Sequence, residues 1–203
     1  MSRRTHPSRR LFISSAAALV STAGLPGTAV AFSEVEAKNL VAAMVTELNA
    51  ATASGRSETD MFREVEMLLS KYSDIPMLAR SSLGVAWRSA NDDQRAAFIK
   101  VFGGYLSRKY GRTFQDFAIA KVQVSQTRKV TTGYVVSSLV HLTDGTFYSI
   151  EWQVVNIGGK DKLVNLVIEG LSLLATERQE IAAMLDARGG DLDRLINDLA
   201  STG

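Results

Sequence analysis

The chain has 203 residues, enough for one domain with a sizeable core, and it contains no cysteine. Disulfide bonds, thiolate metal sites and cysteine nucleophiles are therefore excluded. Lysine and arginine number 23 against 21 acidic residues, but four of the arginines precede residue 32, where no acid occurs. The rest of the chain carries 19 basic against 21 acidic residues, a net charge of −2, which gives no reason to expect a nucleic-acid-binding surface.

Residues 1–31 have the three-part pattern of an export signal. A basic start with the adjacent pair Arg9 and Arg10 precedes a weakly apolar stretch, which ends in the small–x–small pattern that signal peptidases recognise. The stretch is too short and too rich in serine, glycine and proline for a membrane span. The arginine pair indicates the twin-arginine route, which carries proteins that have already folded. We therefore predict a twin-arginine signal peptide that is cleaved near Ala31 and a single domain at residues 32–203.

The first part of this domain has the spacing of amphipathic helices. Apolar residues at positions 35–48 recur at helical intervals. The sequence SETD at positions 57–60 has the form of a capping box before a second apolar run. Asp74 predicts the N-cap of a short helix whose first turn contains Pro76, where a missing N–H costs little.

The clearest helix begins after Asn91, a good N-cap residue. Two aspartates follow it and complement the positive end of the helix dipole. The apolar residues of this helix share one continuous face: Phe98, Val101, Phe102, Tyr105 and Leu106. The pattern continues through Tyr110 to Phe114 and Phe117, so we predict a long helix with an aromatic-rich stripe.

The spacing changes to strand alternation after residue 120. Four segments have this period: KVQVSQT, VTTGYVVSSLVHL, GTFYSIEWQVVNI and DKLVNLVIEG, which begin at residues 121, 130, 145 and 161. Tight turns at Asp144-Gly145 and Gly158-Gly159 connect consecutive strands into an antiparallel meander. Two helices at 172–187 and 191–201 close the chain, separated by Gly189-Gly190. Helices, then a sheet, then helices indicate the α+β class.

Signals for catalysis and metal binding are weak. No nucleotide-binding glycine motif, HExxH motif or EF-hand loop occurs in the sequence. His141 is the only histidine after the predicted signal peptide, and no nucleophile or acid stands at a motif spacing from it. Glu151 and Glu169 lie in predicted strands, where each can face a cavity or solvent. Adjacent Asp92 and Asp93 are explained by helix dipole charge, so we expect no catalytic residue, metal site or cofactor.

Three stretches, in order along the chain, have the patterns of one known family. Residues 78–111, LARSSLGVAWRSANDDQRAAFIKVFGGYLSRKYG, have the pattern LG-x-x-W-[KR]-x-A-[TN]-x-x-Q-R-x-x-F-x-x-x-F-x-x-x-L-x-x-x-Y. Residues 166–181, LVIEGLSLLATERQEI, have the pattern E-G-[VL]-S-[LM] followed by [KR]-x-[EQ]. Residues 188–201, RGGDLDRLINDLAS, place a glycine turn before D-x-L-x-x-x-L. Together they resemble the MlaC family of periplasmic phospholipid-binding proteins, also called toluene-tolerance or auxiliary transport proteins.

The resemblance implies a fold and a binding mode. The expected fold is a curved antiparallel sheet of about four strands covered by N- and C-terminal helices, in a cone like that of nuclear-transport-factor proteins. An apolar pocket between sheet and helices is expected to take phospholipid acyl chains and to leave the head group at its mouth. Because burial of methylene groups, worth about 0.8 kcal/mol each, is non-directional, we expect weak head-group selectivity.

Candidate lipid-binding residues follow from the helix face and the strand alternation. They are large apolar or aromatic side chains: Trp87, Phe98, Phe102, Tyr105, Tyr110, Phe114, Val136, Ile150, Trp152, Val154, Leu166 and Ile168. Arg108, Lys109 and Arg112 either line the mouth of the pocket or belong to a solvated helix face.

The family role implies a carrier rather than an enzyme, with bound phospholipid as cargo. The implied partners are an inner-membrane ABC transporter complex, with its membrane-anchored substrate-binding subunit, and an outer-membrane lipoprotein–porin complex. We expect a periplasmic monomer that binds no nucleic acid. Three alternatives stay open: a carrier of another lipid such as a hopanoid, a protein adaptor with a solid core, and a cone-fold isomerase or cyclase. The enzyme would need Glu151, Glu169 or His141 as a base inside the cavity.

Overall fold

Helices and strands occupy most of residues 32–52, 57–117, 121–142 and 145–202, which are the residues that this computed structural model describes. The predicted signal peptide at residues 1–31 lies outside them, so it stays a prediction. Side chains are not described for Thr52, Arg112–Phe117 and Lys121, although their backbones are.

Within the described residues, five helices precede the sheet. They are α1 (Glu34–Thr52), α2 (Glu58–Tyr72), α3 (Ile75–Leu83), α4 (Ala86–Ser89) and α5 (Asp92–Phe117). The predicted caps begin three of them. Ser57 accepts a hydrogen bond from the Asp60 amide (3.2 Å), Asp74 accepts one from Met77 (2.8 Å), and the Asn91 side chain accepts one from Gln94 (2.8 Å). Each cap satisfies an amide that the helix itself leaves without a partner, and this sets the helix start at that residue.

One antiparallel sheet follows, with its strands in chain order. The strands are β1 (Lys121–Val130), β2 (Gly133–His141), β3 (Phe147–Ile157), β4 (Lys160–Ile168) and β5 (Leu171–Ser172). The predicted meander is therefore confirmed, and the α+β class with it. Several strand ends differ from the prediction. β2 begins at Gly133 rather than at residue 130, and β3 begins at Phe147 rather than at residue 145. β1 extends to Val130, and β4 ends at Ile168 because the next two residues form a turn.

That turn produces the fifth strand, which the sequence does not predict. Glu169 and Gly170 both have positive φ angles, 49° and 81°, as a two-residue hairpin of the type I′ class requires. The Glu169 carboxylate also accepts a hydrogen bond from the amide of Ser149, which compensates for the cost of a left-handed conformation in a residue other than glycine. The chain then turns back, and Leu171 pairs with Ile168.

The closing helices are α6 (Leu173–Asp186) and α7 (Leu192–Leu199), within two residues of the predicted bounds. Ser172 caps α6 by accepting from the Ala175 amide (3.2 Å), and Asp191 caps α7 by accepting from Arg194 (3.0 Å). Both helices belong to a buried apolar cluster with α3 and α5. The other cluster lies between α1, α2 and the sheet.

The curved sheet presents one apolar face to the helices. Val136 lies opposite Trp152, and Trp152 lies opposite Leu166, so alternate residues of β2, β3 and β4 point to the same side. The indole N–H of Trp152 donates to the hydroxyl of buried Ser138 (2.8 Å), which satisfies the polar atom of this large side chain. Helix α1 packs across this face.

Gly133 provides a test of the sheet packing. A Cβ atom at this position would lie 2.1 Å from the carbonyl oxygen of Val154, so a side chain there forces the strands apart. We expect Gly133→Ala to lower the free energy of unfolding by about 1–3 kcal/mol, measured by urea denaturation.

The matched control is Gly103→Ala in α5. Its Cβ would meet the Ile75 side chain at 3.8 Å, an ordinary contact, and alanine favours the helix by up to about 1 kcal/mol. Equal effects of the two substitutions would contradict the close approach at Gly133.

Candidate functional site

A cavity lies where five helices meet β4, and we call it the helix cavity. Its empty volume is about 580 Å³, a figure that includes the part that opens to solvent. Its lining comes from α1, α2, α3, α5, β4 and α6, and consists of Met44, Leu69, Ser73, Leu78, Ser82, Phe102, Leu106, Tyr110, Leu163, Val164, Asn165, Leu166, Leu173, Leu174 and Glu177. Most of these side chains are apolar, so the cavity favours an apolar occupant.

A second cavity, the sheet cavity, lies between α1 and the sheet. It encloses about 420 Å³, again including its open part, and is lined by Val45, Leu48, Asn49, Val122, Val140, Ile150, Trp152, Leu166 and Ile168. Leu166 lines both cavities, and the neighbouring α1 residues Met44 and Val45 line one each. The two cavities therefore adjoin at Leu166.

Polar groups at the edge of the helix cavity hold its wall together. The Asn165 side chain accepts from the Leu174 amide (3.1 Å) and donates to the Ser172 hydroxyl (2.9 Å), which ties β4 to the start of α6. Two other polar atoms behave differently. The Ser82 hydroxyl and the Oε2 atom of Glu177 are buried, and neither has a hydrogen-bond partner within the described part of the chain.

Glu177 belongs to a charged cluster at one side of the helix cavity. Lys109 donates to Oε1 of Glu177 (2.5 Å) and to Glu180, and the Tyr110 hydroxyl also donates to Oε1 of Glu177. Tyr105 donates a long hydrogen bond to Glu180 (3.5 Å). The Lys109 Nζ atom lies 5.6 Å and 5.2 Å from the ring centres of Tyr105 and Tyr110, within range of a cation–π interaction.

The cluster shifts the pKa values of its members. Burial lowers the pKa of Lys109, but the hydrogen bonds to Glu177 and Glu180 outweigh that effect and hold the pKa above its ordinary value. Burial, assisted by the nearby negative charge of Glu177, raises the pKa of Tyr105 to about 12. Burial and the hydrogen bond to Glu177 also raise the pKa of Tyr110. At neutral pH Lys109 is therefore charged and both tyrosines are neutral.

Six of the twelve predicted lipid-binding residues line a cavity. Phe102 and Tyr110 line the helix cavity, and Leu166 lines both cavities. The other three, on β3 and β4, line the sheet cavity: Ile150, Trp152 and Ile168. Whether these residues bind lipid stays a prediction.

The remaining six lie elsewhere or are not described. Phe98, Tyr105, Val136 and Val154 are fully buried in the two apolar clusters and line neither cavity, because their neighbours fill the space around them. Trp87 lines a surface concavity with three arginines, Arg80, Arg88 and Arg178. The side chain of Phe114 lies outside the described residues.

Lining residues from α1, α2, α3 and α6 are missing from the prediction. Spacing assigns them to helix faces but does not show which part of a face borders a cavity. One signal is visible in retrospect. Glu177 interrupts the apolar stripe of α6, which otherwise contains Leu173, Leu174 and Ile181, and a charged residue in such a stripe marks a special environment.

None of the three proposed bases lines either cavity. Glu151 pairs with Arg128 (3.4 Å) at the surface, Glu169 is in the β4–β5 turn, and His141 is exposed beside Phe147. Their positions do not favour an enzyme that uses one of them inside the cavity. Within the described residues, no group of three potential metal ligands occurs and no helix is long and apolar enough to cross a membrane.

Two of the basic residues that were candidates for the mouth of the pocket do not form a free basic surface. Arg108 donates to the carbonyl oxygens of Leu199 (2.6 Å) and Thr202 (2.9 Å), so it caps the C-terminal end of α7. Lys109 is held by Glu177 and Glu180, and the side chain of Arg112 is not described. Arg108 and Lys109 therefore stabilise the fold rather than form a free basic surface.

The molecule is thus an α+β protein with adjoining apolar cavities between a curved sheet and its helices. Residues 38–201 match the family model described as MlaC protein, so the chain belongs to the MlaC family.

Individual relatives are distant. The toluene tolerance protein ttg2D of Pseudomonas putida is 22% identical over 164 residues, which cover 77% of this chain and 74% of that protein. The intermembrane phospholipid transport system binding protein MlaC of Haemophilus influenzae is 21% identical over 133 residues, 63% of this chain and 61% of that protein. A solved structure from Ralstonia solanacearum, a phospholipid-binding protein in complex with a phospholipid, superposes with a TM-score of 0.65 at 22% identity, over 81% of this chain and 99% of that one. This likeness confirms the fold.

The raised pKa of Tyr105 in the charged cluster predicts how the free energy of unfolding depends on pH. The pKa of Tyr105 is about 12 in the folded protein and about 10 in an unfolded chain. Between these values the folded state binds more protons than the unfolded state, so the free energy of unfolding falls as pH rises from about 10 towards 12. Tyr105→Phe removes this titrating group, and we expect a shallower fall, measured by urea denaturation across that range.

The difference between the two proteins should be independent of pH near neutrality, where tyrosine is neutral in both states. An identical alkaline slope would contradict the raised pKa of Tyr105.

Proposed function

We propose that this protein is a periplasmic phospholipid carrier without enzymatic activity, and that it holds acyl chains in the helix and sheet cavities. The observation that carries the proposal is the pair of adjoining apolar cavities with Leu166 in common. Membership of the MlaC family and the names of its relatives support the same function.

The energetics favour a ligand with more than one acyl chain. Burial of about a dozen methylene groups is worth roughly 10 kcal/mol, whereas association costs roughly 4–15 kcal/mol in lost freedom of motion. One chain therefore approximately balances the cost of association, and a second chain gives net affinity. Two adjoining cavities suit such a ligand, because they offer one apolar space for each of two chains.

A carrier of this kind needs a donor and an acceptor of lipid. We infer that the protein exchanges phospholipid between an inner-membrane ABC transporter complex and an outer-membrane lipoprotein–porin complex. The intermembrane phospholipid transport system of the Haemophilus influenzae relative supports this role. Export by the predicted signal peptide would place the protein between the two membranes.

Export and loading can be tested together on the native protein. Expression of the full chain in bacteria should yield a periplasmic protein whose N-terminus is Phe32, determined by N-terminal sequencing. Native mass spectrometry of the same preparation should show one or more bound phospholipids. Recovery of a lipid-free protein that also fails to take up a fluorescent phospholipid would contradict the carrier function.

Cavity-filling variants test which space holds the chains. Leu174→Trp adds volume to the helix cavity and Ile168→Trp adds volume to the sheet cavity, and both avoid a buried charge. Displacement of two or three methylene groups, at about 0.8 kcal/mol each, should weaken phospholipid binding at least about tenfold, measured by competition with a fluorescent phospholipid.

The control is Leu171→Trp, which adds the same side chain three residues from Leu174 at an exposed position and should bind like the wild type. Unchanged binding by both cavity variants would show that neither cavity holds a chain.

A further inference from the structure

The wall of the helix cavity contains two polar atoms that the protein itself does not satisfy. Glu177 is 3% exposed and Ser82 is 1% exposed, and both line the cavity. Oε2 of Glu177 and Oγ of Ser82 have no hydrogen-bond partner in the described part of the chain. Such atoms are rare in folded proteins, because an unmade hydrogen bond in a buried place is costly.

The rest of Glu177 is fully engaged. Lys109 and Tyr110 both donate to Oε1, so the carboxylate is held in one orientation with Oε2 left over. A carboxylate oxygen only accepts, whereas the Ser82 hydroxyl can accept or donate. The partner that Oε2 of Glu177 lacks must therefore supply an N–H or O–H group, and the Ser82 hydroxyl can accept from such a group as well.

The charge of the cluster selects the kind of donor. One lysine, Lys109, faces two glutamates, Glu177 and Glu180, so the cluster has a net charge of −1 when all three are ionised. A phosphate group beside Oε2 would be repelled. A primary ammonium or a neutral hydroxyl group would instead form a charge-assisted hydrogen bond, which is roughly twice as strong as a neutral one.

The cluster extends from solvent to the cavity. The exposed fraction of the side chain falls from 41% at Glu180 to 24% at Lys109 and 4% at Glu177. A ligand whose apolar part fills the cavity can therefore place a polar group next to Oε2, at the buried end of this cluster.

We propose that Glu177 and Ser82 form a polar recognition site for the ligand of the helix cavity, and that this ligand carries a hydrogen-bond donor, an ammonium or hydroxyl group, which binds Oε2 of Glu177. The inference rests on the proposed lipid-carrier function and adds a preference to it. The resemblance to the family predicts weak head-group selectivity, whereas this site favours a lipid that carries an N–H or O–H hydrogen-bond donor.

The first experiment compares lipids with identical acyl chains by competition against a fluorescent phospholipid. Phosphatidylethanolamine and phosphatidylglycerol carry donors, whereas phosphatidylcholine has no N–H or O–H in its head group. We expect the donor lipids to bind about tenfold more tightly, equivalent to about 1.4 kcal/mol. A polycyclic lipid alcohol compared with its methyl ether tests whether the donor can come from the apolar body instead of a head group.

Substitutions of Glu177 and Ser82 then test whether these residues cause the preference for donor lipids. Glu177→Met removes the acceptor and should bring the affinity ratio of phosphatidylethanolamine to phosphatidylcholine close to one. Ser82→Ala should lower the ratio partially, and it leaves the fold intact because the hydroxyl makes no hydrogen bond there. The matched control is Ser81→Ala, whose hydroxyl donates to the Met77 sulfur (3.4 Å) and lies at the outer surface concavity.

Each outcome decides between the two proposals. Equal affinity of the wild type for donor and donor-free lipids overturns the recognition site and leaves the carrier function in place. An unchanged ratio in Ser82→Ala and Glu177→Met also overturns it, and Ser82→Ala alone decides if Glu177→Met does not fold. Failure of the wild type to bind any of these lipids overturns the carrier function itself.

Discussion

Strand β4 is fixed between two helix termini, and the cavities depend on this constraint. The Asp74 amide at the start of α3 donates to the Leu163 carbonyl (3.4 Å), and the Asn165 side chain binds the first turn of α6. Lys162 adds a hydrogen bond to the carbonyl of Lys71 at the end of α2 (2.6 Å). Because these polar contacts hold the layers at set positions, the apolar side chains between them do not collapse into one packed core.

The same arrangement explains why an apolar space coexists with a charged cluster. Helix α6 begins at the strand it is tied to, so its first turns face the cavity, while α5 crosses beside it and supplies Lys109 and Tyr110. Glu177 is the buried member of these ion pairs, whereas Lys109 is partly exposed and Glu180 is 41% exposed, and a buried carboxylate requires good hydrogen-bond geometry to offset its desolvation. Lys109, Tyr105 and Tyr110 donate to the carboxylates of Glu177 and Glu180, and the buried Oε2 of Glu177 is left without a partner in the described part of the chain.

The helix starts and the strand faces can be predicted from the sequence, whereas the residues that line the cavities cannot. Caps at Ser57, Asp74 and Asn91 predict helix starts because the interaction is local, between residues three apart. Strand alternation predicts the shared face of Ile150, Trp152 and Leu166 for the same reason. Phe98 and Tyr105 have the same helical pattern as Phe102, yet only Phe102 reaches the cavity, because the packing of α3, α6 and α7 against α5 covers the other two.

The sequence by itself determined the class of fold, the order of its elements, and the family, because periodicity, caps and motifs depend on residues that are near one another in the chain. Only the tertiary structure decided which apolar residues border empty space and which fill the core. It also decided that Lys109 serves an ion pair with Glu177 and Glu180, 68 and 71 residues away in the chain, rather than a basic mouth. Cavities and buried ion pairs arise where distant elements meet, and no local pattern specifies the space that those elements leave between them.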